Sequence, residues 1–168
     1  MIRLLPRNIA RIIILVLLQV LLLDNINLMG SVNPYFYVLF VLLIPFETPG
    51  WLLLLTSFVL GITIDSFRDT LGLHTFATVA VAYLRPYVLQ LISPRDGYEP
   101  GTFPRMYYYG FAWFLKYTTI LVVIHHFILF FIEAFSFYDS MNTLVNAVFS
   151  SLFTITLILI SQFFMYRK

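Results

Sequence analysis

The sequence predicts an all-α polytopic membrane protein, a compact six-transmembrane-helix bundle forming a single integral membrane domain over residues 1–168. Two observations carry that class. Of the 168 residues 61% are apolar and only 11% charged, against about 25% charged in an average globular protein, and the mean hydropathy is +0.91. Some 60% apolar content is more than a domain of this size can bury against itself, so the remainder faces lipid. The second observation is that the apolar residues gather into six runs. Six spans of about 20 residues occupy about 120 positions, which leaves room for ends and loops but for no separate soluble module.

The first run covers 12–29; Gln19 interrupts it and Asp24, Asn25 and Asn27 close it. The basic and apolar start resembles a secretory signal, yet no small-x-small cleavage site precedes Asp24, so it reads as a retained first helix. Asn33-Pro34 signals a turn. The run 35–46 is short for a full crossing, which makes it a thin or partly re-entrant span. Pro45 and Pro49-Gly50 end it. The third span is 51–67, the fourth 71–92, the fifth 109–135 and the sixth 143–166. Between the fourth and fifth lies SPRDGYEPGTFPR, whose Pro, Gly and charged residues predict an irregular hinge between two helical triplets.

Cations near span ends set orientation, because the cytoplasmic side retains them. With six spans, Arg3, Arg7, Arg11, Arg95, Arg105, Arg167 and Lys168 share one side, and Arg68 is the lone cation opposite. Both termini are therefore expected in the cytoplasm. The scattered Lys and Arg exclude the clustered basic face of a nucleic-acid binder. The absence of cysteine removes disulfides, thiolate metal sites and cysteine nucleophiles. Tyr107, Tyr108, Tyr109, Phe111, Trp113, Phe114 and Tyr117 read as an interfacial aromatic belt, with a ligand-stacking site as the alternative.

The most distinctive stretch runs from Gly61 to Leu84. Asp65 and Asp69 are four apart and share a helix face, and Arg68 is placed to pair with Asp65 at i,i+3. Gly61 is expected to be a packing position, Gly72 to form a tight turn, and His74 to open the next helix. Asp65, Arg68, Asp69 and His74 form either a polar cluster that contacts a partner or ligand, or interfacial charges that satisfy helix ends and fix the turn. Depth in the membrane decides between these. The spacing of Asp65, Asp69 and His74 matches no recognised metal site, and the adjacent His125 and His126 point about 100° apart on a helix, so core or interhelical hydrogen bonds fit them better. Lys116 and Arg85 are expected to snorkel to the headgroups, with Pro86 as a kink.

No phosphate-cradling loop, HExxH or GxSxG is present. The expectation is a protein with no catalytic residues, no cofactor and no metal, which works by packing against others.

Gly61-Ile-Thr-Ile-Asp65 followed by Leu71-Gly72-Leu73-His74, with the basic N-terminus and six compact spans, resembles the MreD family of rod-shape-determining membrane proteins. The motif covers spans three and four. The turn Ser66-Phe67-Arg68-Asp69-Thr70 is more charged than the family's small-residue turn. The resemblance implies a non-enzymatic scaffold of the bacterial inner membrane that serves cell shape and peptidoglycan elongation in the rod complex. Its implied partners are an MreC-like single-span protein, the MreB filament, and a RodA-type glycosyltransferase with its transpeptidase. The family is similar in fold to the substrate-binding subunits of energy-coupling-factor transporters, which supplies the alternative of a vitamin transporter subunit. Such a subunit needs an outward-open ligand cavity, whereas a scaffold needs an apolar lateral face.

Overall fold

A computed structural model describes residues 5–26, 32–134 and 140–166. The described chain is helical and forms no β-strand. Helix α1, Leu5–Leu18, runs on into a π-helical turn over Gln19–Leu23. A 3₁₀ turn, Phe36–Val38, leads into the short α2, Leu39–Leu43. Then come α3, Gly50–Arg68; α4, Leu73–Leu91; α5, Met106–Ala134; and α6, Ser140–Tyr166. The expected ends of the first and fifth spans at 27–29 and 135, Asp139, and the terminal Arg3, Arg167 and Lys168 lie outside the described residues.

Three helices, α3, α5 and α6, are long and apolar enough to cross a membrane. Only 33% of the most apolar window of α3 and of α6, and 44% of that of α5, is buried in the bundle. The outward remainder, including Leu55 and Val59 of α3 and Phe149 and Phe163 of α6, is apolar surface of the kind lipid covers. Helix α5 is broken at Gly110, where φ is 79° and ψ 168°, so its regular part begins close to the expected start of the fifth span.

The segment expected as the second span departs most from a transmembrane helix. Its helical part, Phe36 to Leu43, is eight residues, or about 14 Å, less than half of a hydrocarbon core of about 30 Å. Every residue from Tyr35 to Ile44 is buried, so the segment lies inside the bundle and touches no lipid.

Irregular backbone survives at membrane depth only where protein groups satisfy it, and here side chains of four helices do so. The Gln19 amide accepts from Phe36 N–H at 2.9 Å and donates to the Pro34 carbonyl at 2.8 Å. On α6, Ser150 Oγ and Thr154 Oγ1 accept from the N–H groups of Asn33 and Tyr35 at 3.2 and 3.0 Å. At the far end Tyr117 of α5 donates to the Leu42 carbonyl at 3.0 Å, and Arg85 of α4 donates to the Ile44 carbonyl.

These bonds correct two expectations. Arg85 is 3% exposed and does not snorkel: its Nε also donates to the Tyr117 hydroxyl at 2.8 Å, and no carboxylate pairs with it among the described residues. Phe114 and Tyr117 are likewise fully buried, which removes them from the belt, whereas Tyr107, Tyr108 and Phe111 are exposed. Tyr117 ends a ladder of rings that begins in the hinge, with Phe46 on Tyr98 at 4.4 Å, Tyr98 on Tyr109 at 5.3 Å, Tyr109 on Trp113 at 4.8 Å and Trp113 on Tyr117 at 5.1 Å. Burial pushes the Tyr98 phenol up to about 12, so it stays a donor to the Leu89 carbonyl at 2.7 Å through the neutral range. Lys116 is exposed, and Pro86 sits within a continuous α4.

Candidate functional site

The α3–α4 turn brings together three of the four charged or polar residues singled out in sequence. Helix α3 ends at Arg68, where Asp69 takes the left-handed conformation with φ 53° and ψ 36°. Gly72, with φ 86° and ψ 13°, is the N-cap of α4; without a Cβ it adopts that conformation freely, but it has no side chain to cap the helix.

Asp65 caps α4 instead, from the neighbouring helix. Its Oδ1 accepts from the His74 backbone N–H at 3.0 Å and its Oδ2 from the Thr75 N–H at 2.8 Å. Two hydroxyls complete the shell, Thr70 on Oδ1 and Thr75 on Oδ2, each at 2.5 Å. A carboxylate here meets both the orphan N–H groups and the positive end of the helix dipole.

The imidazole of His74 joins this cap to Arg68. Arg68 Nη1 lies 3.1 Å from His74 Nε2, and a guanidinium only donates, so Nε2 accepts and the proton sits on Nδ1. Nδ1 is 3.0 Å from Asp65 Oδ1, to which it donates. Arg68 also ion-pairs with Asp24 at 3.7 Å and lies over the Tyr35 ring at 5.2 Å. The expected Asp65–Arg68 pair is therefore not formed: the α4 N-terminus occupies Asp65, and Arg68 turns to Asp24 at the end of the first helical unit. The network ties together that unit, the buried segment, α3 and α4.

Gly61 holds the two helices close. A Cβ built on it would meet Thr75 Cα at 2.4 Å and the His74 carbonyl oxygen at 3.2 Å. The backbones cross there with no space for a side chain.

Beneath this joint the chain's three histidines surround Tyr35, with ring centroids at 5.5 Å for His74, 6.2 Å for His125 and 5.3 Å for His126. The Tyr37 hydroxyl lies 3.0 Å from His125 Nε2. His126 Nδ1 donates to the Val122 carbonyl at 2.8 Å, leaving Nε2 to accept from Thr154 Oγ1 at 3.0 Å. No group of three or more His, Asp or Glu among the described residues is arranged to hold a metal.

Asp69 stands apart from the network. Its carboxylate is exposed and makes no hydrogen bond or ion pair among the described residues. It lies at the mouth of a groove of about 980 Å³ on the outer face of α3 and α4, walled by Leu54, Phe58 and Ile62 on one side and Phe76, Ala80 and Tyr83 on the other.

No protein-family model, curated protein or solved structure matches this chain.

Sequence reasoning missed Asp24, Tyr35, Thr70 and Thr75 as parts of the site. Asp65 precedes α4 by more residues than any N-cap search covers, so its capping role left no local signal. Gln19 did leave one, as the polar residue inside an apolar run.

Proposed function

We propose that the chain is a non-enzymatic adaptor of the bacterial inner membrane, acting in the rod complex that elongates peptidoglycan and maintains cell shape. It crosses the membrane six times with both termini in the cytoplasm, the second passage being the short buried segment. Its partners are an MreC-like single-span protein and, through it, the MreB filament, the RodA-type glycosyltransferase and its transpeptidase.

One observation supports this reading above the rest. The four residues that carry the resemblance, Gly61, Asp65, Gly72 and His74, belong to a single joint between α3 and α4: Gly61 lies against Thr75, Gly72 starts α4, and Asp65 binds His74. Both oxygens of Asp65 are filled by donors of its own chain, which suits a residue that fixes shape better than one that moves protons. A joint of this kind holds a helical hairpin, and its outer groove, in one geometry for a partner.

The test is co-purification from native membranes. Asp65→Ala is expected to reach the membrane and lose its MreC-like partner, and Asp65→Asn to lose part of it. Undiminished co-purification by both variants contradicts the proposal.

A further inference from the structure

The groove on α3 and α4 combines a long apolar trough with a one-signed mouth. Leu54, Phe58 and Ile62 follow one another at four-residue spacing on α3, and Phe76, Ala80 and Tyr83 form the facing ridge on α4. From Leu54 to Ser66 the trough is about 18 Å long at 1.5 Å per residue. Two such ridges leave the kind of furrow into which the side-chain ridge of a third helix packs. At the mouth Asp69 has no partner among the described residues and Asp65 lines the floor, and no described Lys, Arg or His lines the groove.

We infer that this groove seats one transmembrane helix of a partner protein, and that Asp69 selects a helix carrying Lys or Arg at the end beside it. The inference rests on the adaptor reading and names the partner's chemistry. Charge separates the possible occupants. A phospholipid, whatever ammonium its headgroup carries, would also bring its phosphate to a mouth that offers carboxylates and no described cation. A second copy of this chain has only Arg68 as a described cation at that end, and Arg68 is held by Asp24 and His74. A helix with a basic end supplies both the apolar length and the missing charge.

The chain contains no cysteine, so a single one introduced by Tyr87→Cys, at an exposed position whose ring packs on the groove-lining Tyr83, takes a bimane label cleanly. The full chain is reconstituted in phosphatidylcholine vesicles and titrated with two synthetic Leu–Ala helices. Each carries a quenching Trp at one end, and Lys-Lys or Glu-Glu at the other. The Lys-ended helix is expected to quench with about fivefold higher affinity, the size of one interfacial ion pair. Asp69→Asn should erase that preference, and Ala80→Phe, which fills the trough, should remove quenching by both. Equal quenching by the two helices, or a preference that survives Asp69→Asn, overturns the proposal. Quenching by neither, with the groove holding co-purified phospholipid or a second copy, overturns it as well. A failed titration leaves the co-purification test of Asp65 standing. A failed co-purification with the Lys preference intact removes the elongation assignment and keeps the groove.

Discussion

Asp65 accepts both the backbone N–H and the imidazole Nδ1 proton of His74, each across 3.0 Å, so one carboxylate of α3 holds the start of α4 by its backbone and by its first polar side chain. The link makes the α3–α4 hairpin a unit whose tip cannot change shape without breaking charged hydrogen bonds. Such bonds are the stronger class, and in a bundle with little hydrophobic drive between helices they count alongside close packing.

The same substitution made four residues apart should therefore have unequal effects. Asp65→Asn puts an amide where five donors converge and is expected to cost about 1–3 kcal/mol. Asp69→Asn touches no bond of the described structure and should leave stability unchanged. Thermal unfolding in detergent compares them, and equal melting temperatures would show that the cap contributes nothing.

Gly61→Ala adds a single methyl where the Thr75 Cα would be 2.4 Å away. The obstruction is backbone, so truncating the Thr75 side chain cannot relieve it and the helices must separate. A loss of about 1–3 kcal/mol, typical of overpacking, is expected in the same assay. An unchanged melting temperature would mean that α3 and α4 do not meet there.

Gln19→Leu tests the buried segment. It leaves Phe36 N–H and the Pro34 carbonyl without partners, at about 1–3 kcal/mol for each orphaned group. Amide exchange at Phe36 should accelerate, while exchange in the middle of α6 stays as in the native chain. Unaltered exchange at Phe36 would show that another group satisfies it.

What was legible in the sequence followed from local pattern. The apolar runs of α3, α5 and α6 placed those helices within a few residues, and the Gly61-to-His74 stretch marked the joint. What was not legible depended on partners far along the chain. Arg68 chose Asp24 over Asp65 because the α4 N-terminus had already claimed Asp65. Arg85 looked like a snorkelling cation because nothing near it in sequence shows that the Ile44 carbonyl, in an irregular buried segment, needs a donor. Tyr117 looked like a belt residue for the same reason. Hydropathy gives the depth of a run, and it does not reveal which side chains turn inward to satisfy backbone.

The proposed topology places loops on opposite sides. Reporter fusions after Asn142 and after Lys168 are expected to read opposite compartments, the first outside and the second cytoplasmic. Two cytoplasmic readings would contradict the crossing of α6, and the reverse pattern, cytoplasmic after Asn142 and outside after Lys168, would contradict the crossing of the buried segment.

The central claim, that this bundle serves cell-wall elongation by holding a partner, is tested most directly by depleting the protein from its native host, which the account expects to be a rod-shaped bacterium, and following cell shape. The account predicts round, swelling cells, restored to rods by the native chain but not by Asp65→Ala. Rod-shaped growth after depletion, or loss of growth that one added vitamin restores, would contradict it.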